Sequence, residues 1–147
     1  MNPFLLAPRE RMADWKHLRE ALTKLDKPAQ LERVAHYWSQ APLLKHAYDA
    51  FELDHVPGPW EMINEGDWCR DSVAVGMEFT LRLSGWSADA MKLLFIRDYD
   101  LSDQMLVLKI ETGETLNYST GEVTDYPTTR HDVMCGWEYS GRGYSTI

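Results

Sequence analysis

Long apolar runs are missing from this 147-residue chain. No stretch approaches the roughly 18 uninterrupted apolar residues of a membrane-spanning helix, and the opening MNPFLLAPRER turns charged too soon for a signal peptide. The expectation is a protein without a membrane partner, kept in the cytoplasm. Cysteine is scarce too: Cys69 and Cys135 are too few for a disulfide scaffold, and in a reducing compartment they stay thiols. Positive charge is short, with 15 Lys and Arg against 23 Asp and Glu and a net charge of −8. Nucleic-acid affinity rests on Lys and Arg neutralising phosphates, so nucleic acid is not an expected partner. Repeats, low-complexity tracts and long linkers are absent. What remains is one domain's length of chain with 44% hydrophobic residues, enough for a real core.

The charge is uneven. Residues 1–50 hold eight Lys and Arg against six Asp and Glu, while residues 51–147 hold seven against seventeen. A mildly basic N-terminal part therefore precedes an acidic body. Pro8 can open a helix, and RERMADWKHLREALTKL places Trp15, Leu18, Leu22 and Leu25 at steps of three and four, the signature of one amphipathic helix. DKPAQLERVAHYWSQ repeats the design with Asp26 as cap and Leu31, Val34, Ala35 and Trp38 on one face. A third short helix is expected at about residues 43–52, before VPGPW at 56–60 breaks the pattern. These elements make an N-terminal helical arm, residues 1–55, ahead of a core, residues 56–147.

Within the core, residues 69–84 are apolar nearly all round, as in a helix buried on most sides. KLLFIRDY then reads as a strand, QMLVLKIETGETLNYSTGEVTDY as a meander with turns at Thr112-Gly113 and Thr120-Gly121, and HDVMCGWEY as a last strand. The class is α+β: N-terminal helices, a central helix carrying Cys69, and an antiparallel sheet of four to five strands.

Few residues invite chemistry. Cys69 opens the central helix, where unpaired N–H groups favour a thiolate; Arg70 adds to that and Glu65, Asp67 and Asp71 oppose it. An arbitrary free cysteine is more often a buried, inert one. The five histidines, His17, His36, His46, His55 and His131, show no spacing suited to zinc. DYDLSD, 98–103, lacks the glycine and the final glutamate of a calcium loop. GRG at 141–143 lacks the strand and helix of a phosphate loop. No cofactor is expected. The six tryptophans read as core and interface anchors.

The run from Pro59 to Val123 resembles the bacterial transglutaminase-like cysteine peptidases, a branch of the papain-like fold. NEGDWCRDSVAV matches a Gly-Asp-Cys-Glu-Asp-Tyr-Ala motif on the central helix, and LRLSG a Leu-Arg-x-x-Gly helix end. LLFIR matches a strand ending in Val-Arg, DQMLVL a strand opening with His-Ala-Val-Leu, and TLNYS a strand ending in Leu-Asp-Asn. The resemblance implies a nucleophile position at Cys69, a histidine position at Gln104 and an acidic position at Asn117, with Ser119 as an alternative for the last. Asp71 matches the motif's second acid, and Trp68 is an insertion before the cysteine.

A cysteine hydrolase needs a base that takes the thiol proton and returns it to the leaving group, which an amide cannot do. By strand parity Gln104 lies with Leu106, Leu108 and Ile110, on the face expected to pack on the central helix and point toward Cys69. A two-residue turn at 112–113 pairs Asn117 with Leu108, about 13 Å along the strand from Gln104. The expected function is a non-catalytic transglutaminase-like domain, a structural or protein-interaction module whose helical arm packs on the core or lies in a partner's groove. A version without an export signal suits a cytoplasmic protein or a bacteriophage virion or assembly component. The alternative is an active cysteine hydrolase, peptidase or acyltransferase with Cys69 as nucleophile and its base elsewhere.

Overall fold

The structure, a computed structural model, describes residues 1–44, 53 and 56–147. Among these residues four α-helices precede a six-stranded sheet. Helix α1, Pro8–Leu22, starts on a proline and buries Trp15, Leu18 and Leu22 on one stripe. Helix α2, Lys27–Ser39, is capped by Asp26, whose Oδ1 accepts the Ala29 N–H at 2.9 Å, and buries Leu31, Val34, Ala35 and Trp38. Helix α3, Pro59–Glu65, ends at Gly66, whose φ of 79° is the left-handed conformation that glycine adopts without strain. Helix α4, Arg70–Leu83, has ten of its fourteen residues buried, as its all-round apolar sequence requires.

Helix α4 is the axis of the fold, with α1 and α2 pressed on one side and the sheet on the other. Trp15 and Trp38 meet Phe79 edge to face at 5.6 and 5.8 Å. Both indole N–H groups donate to Thr80 Oγ1, each at 3.1 Å. Thr80 in turn donates to the Gly76 carbonyl at 2.6 Å. The Trp38 ring lies where a side chain at residue 76 would begin: a Cβ there would stand 2.4 Å from the nearest ring carbon. Glycine mid-helix costs about 0.5–1 kcal/mol relative to alanine, and here that cost admits a buried tryptophan.

The strands are β1, Met91–Asp98; β2, Asp103–Ile110; β3, Glu114–Leu116; β4, Val123–Asp125; β5, His131–Tyr139; and β6, Tyr144–Thr146. They form one antiparallel sheet in the order β4-β3-β2-β1-β5-β6. Leu93, Phe95, Leu106, Leu108, Ile110 and Trp137 face the helices and join one core with them. Leu94, Ile96, Met105 and Val107 form a smaller cluster on the other face, under Tyr118 and Tyr126. Both faces of β2 are therefore buried, which explains why its sequence has no polar side.

The architecture is the expected α+β, with differences of detail. The sheet has six strands rather than four to five, because a short β6 follows β5 and pairs with its C-terminal half. The central helix begins at Arg70, with Cys69 as its cap rather than its first residue. The β2–β3 turn is one residue longer than expected: Leu108 pairs with Leu116, not with Asn117. The helix expected at about 43–52 lies outside the described residues apart from its start, where Leu43 forms a parallel bridge with Trp68.

Candidate functional site

The site is built at the N-terminal end of α4. The left-handed turn at Gly66 sends the chain back under α1, where Trp68 is buried with its ring 4.9 Å from Phe4. Over that ring stands Arg11, its guanidinium carbon 5.0 Å from the ring centroid. Arg11 is itself buried, and its donors are spent on carbonyls: Nε on Ile63 at 2.5 Å, Nη2 on Asn64 at 2.8 Å, Nη1 on Leu6 at 3.0 Å and Phe4 at 3.4 Å. The last carbonyls of α3 are thereby satisfied, and the entry to Cys69 is held. On the other side Leu44 N–H donates to the Trp68 carbonyl at 2.7 Å.

Cys69 has an extended backbone and caps α4. Its N–H donates to Ser72 Oγ at 2.9 Å, and the Ser72 hydroxyl donates to the Cys69 carbonyl at 3.1 Å. The residue is 3% exposed. Neither cysteine is in a disulfide. Arg70, next in the chain, is committed to Asp103 at 2.5 Å and touches Met105 Sδ at 3.6 Å.

Asn117 and Asp71 meet at one residue of β2. Strand β3 leaves β2 after the Leu108–Leu116 pair, so the backbone groups of Leu106 lose a ladder partner and need another. Asp71 Oδ1 accepts the Leu106 N–H at 3.2 Å. Asn117 Nδ2 donates to the Leu106 carbonyl and to the Arg70 carbonyl, each at 2.9 Å. Asn117 reaches both from a φ of 70°, a conformation asparagine tolerates better than most side chains. The first turn of α4 is thus stitched to the open edge of the sheet.

Gln104 lies two residues before Leu106, about 7 Å along β2, and is exposed. It stands opposite Arg97 on β1. Expected to turn toward Cys69, its amide engages Arg97 instead: oriented by its hydrogen bonds, Gln104 Oε1 accepts from Arg97 Nε at 3.1 Å and Nη2 at 2.9 Å. The structure therefore brings Cys69 and Asn117 to the first turn of α4 and turns Gln104 to Arg97. Ser119 is exposed beyond them. His17 and His36 lie on exposed faces of α1 and α2. His131 is bound to the Thr129 carbonyl at 2.8 Å and the Tyr126 hydroxyl at 3.0 Å. His46 and His55 lie outside the described residues.

Sequence reasoning missed Arg11, and a signal for it existed. Positions 11, 15, 18 and 22 form one helical stripe, and an arginine on an otherwise apolar stripe has to find acceptors. It also missed that Arg97 would be the partner of Gln104, which follows only from the β1–β2 register.

The architecture is that of the transglutaminase-like branch of the papain-like fold. Among solved structures the chain is similar to LapG of Legionella pneumophila. The calcium-bound form has a TM-score of 0.72 at 19% identity, covering 97% of this chain and 81% of LapG. A second LapG structure has a TM-score of 0.72 at 20% identity, covering 95% and 80%. The EGTA-treated form has a TM-score of 0.70 at 20% identity, covering 95% and 77%. At such identities the likeness shows the fold. No protein-family model matches the sequence, and no curated protein matches it. Although that LapG structure holds calcium, no group of three or more His, Cys, Asp or Glu side chains among the described residues here could hold a metal ion. Asp98, in the acidic hairpin, spends its carboxylate on Tyr118, Thr129 and two backbone N–H groups.

Proposed function

We propose that this chain is a transglutaminase-like domain that binds a protein partner, as a structural or assembly component, without cleaving it. The observation that carries this is the amide at position 104. By resemblance, Gln104 holds the position of the base that would serve Cys69, and an amide can neither take nor return a proton near neutral pH. Two further features support it. Asn117, which could orient an imidazole, instead holds two backbone carbonyls. Cys69 caps α4 and is buried.

The second reading, a cysteine hydrolase or acyltransferase with Cys69 as nucleophile, is favoured by one feature. Cys69 caps α4, where the unpaired N–H groups of a helix start favour a thiolate. Alkylation with low iodoacetamide, read by peptide mass spectrometry, separates the two. The binding reading expects Cys69 to label no faster than the half-buried Cys135. Labelling of Cys69 more than about tenfold faster would favour the hydrolase. So would a peptide-cleaving activity abolished by Cys69→Ala.

A further inference from the structure

We propose that Arg97 and Gln104 form a receptor for a carboxylate on a peptide, either its C-terminal α-carboxylate or an Asp or Glu side chain. This rests on the binding reading above, since it names the chemistry that a protein partner would present to the cleft at Gln104.

The two side chains open into a cleft of about 450 Å3 between the ends of β1 and β2. Arg97 enters it as a cation whose hydrogen-bond partner is a neutral amide. The three neighbouring carboxylates are all committed elsewhere. Asp98 is fully buried and accepts from Tyr118 Oη at 2.6 Å, Thr129 Oγ1 at 2.5 Å and the N–H groups of Asp100 and Leu101. Asp103 takes Arg70 on Oδ2 at 2.5 Å and the Gln104 N–H on Oδ1 at 2.8 Å. Asp132, opposite Arg97 on β5, accepts the Tyr99 hydroxyl at 2.6 Å. No ion pair joins any of them to Arg97 among the described residues.

The Arg97–Gln104 pair has one remaining chemical character. Once Gln104 Oε1 has accepted two N–H groups of Arg97, the pair's only acceptor capacity is on that same oxygen, while Arg97 Nη1 carries N–H donors outside that bond. A surface of donors around a planar guanidinium complements a carboxylate, which only accepts. A phosphate dianion fits worse, because one guanidinium would face it amid three carboxylates that repel it. The exposed Gln104 and half-buried Arg97 can be reached from solvent.

The test is a titration of the whole protein, followed by NMR at the Arg97 Nε–H and Gln104 side-chain amide signals. The probes are acetyl-Ala-Ala-Ala with a free C-terminus, acetyl-Ala-Glu-Ala-amide, acetyl-Ala-Ala-Ala-amide and inorganic phosphate. Saturable shifts with a carboxylate peptide are expected, with Kd on the order of 1 mM; whichever of the first two responds more strongly identifies the source of the carboxylate. The all-amide peptide and phosphate should bind at least about tenfold more weakly, a loss that Arg97→Gln and Gln104→Glu should match for the carboxylate peptides. Gln104→Glu supplies Arg97 with an internal carboxylate at an exposed position, so it reads out even if Arg97→Gln disturbs folding. Lys92→Gln removes a cation elsewhere on β1 and should leave binding within about twofold. Absence of shifts at millimolar peptide, equal response to the all-amide peptide or phosphate, or an equal loss with Lys92→Gln would overturn the receptor. Iodoacetamide labelling of Cys69 on the same samples reports separately on catalysis. Fast labelling with intact carboxylate binding sinks the non-catalytic reading alone; slow labelling without carboxylate binding sinks the receptor alone.

Discussion

The two ends of α4 are held by different physics. Toward its C-terminal half the helix is locked by volume, with Gly76 under the Trp38 ring and Thr80 between two indoles. At its N-terminus it is held by single hydrogen bonds from side chains to backbone, through Ser72, Asp71 and Asn117. Close packing makes the first end intolerant of one added methyl group. The second end tolerates changes of shape provided its backbone groups keep partners. A domain built this way can exchange residues around Cys69 without losing its fold, because the contacts that specify the fold lie about two to three turns away.

The sharpest break of that contrast is Gly76→Ala. The new Cβ would need Trp38 to move, and Trp38 is 1% exposed, hydrogen-bonded and stacked. A loss of about 3 kcal/mol is expected, the upper part of the range for overpacked cores, read as a lower urea midpoint at unchanged slope. Thr80→Val comes next. It keeps the shape and removes the acceptor of two indole N–H groups, at about 2 kcal/mol for the buried donors left unpaired. If either substitution were neutral, the packing end would not be the anchor.

At the other end the cost is smaller and local. Asn117→Ala removes both carbonyl partners and leaves a non-glycine residue at a φ of 70°, for which about 1–2 kcal/mol is expected. Asp71→Ala frees the Leu106 N–H at about 1 kcal/mol. Hydrogen exchange at Leu106 checks both, since it should speed up more than exchange in β5. Uniform acceleration across the sheet would mean that the two ends of α4 are not separable.

The packing end was nearly all legible from sequence. The 3- and 4-residue steps of α1 and α2 chose Trp15, Leu18, Val34 and Trp38 for burial, and all four are buried. Periodicity reports burial because burial is what selects it. The site was legible only in part. The position of Asn117 relative to α4 depends on where β3 parts from β2, which a one-residue difference in turn length decides. That difference places Asn117 within reach of Leu106 rather than beside Leu108. The bond from Gln104 to Arg97 needs the β1–β2 register, and a strand with apolar residues on both faces carries no period from which to read it.

The smallest effect is expected at the β1–β2 hairpin, and it appears only in acid. Hydrogen bonds from Thr129 and Tyr118, helped by the N–H groups of Leu101 and Asp100, hold the Asp98 carboxyl down to about 2 against burial that would raise it. Because the folded state favours the charged form, its contribution to stability is present above the ordinary carboxylate value of 3.8. It is lost as pH falls from there toward about 2. Asp103 is lowered as well, chiefly by its hydrogen bond from Arg70, but that pair is exposed and screened by salt. Urea midpoints measured between pH 6 and pH 2 in high salt should therefore fall mainly through Asp98. Asp98→Asn should start lower and flatten that fall. An Asp98→Asn curve parallel to the parent would show that other carboxylates drive the acid loss. The hairpin bearing Arg97 and Gln104 would then be held by its register alone, without the buried carboxylate beneath it.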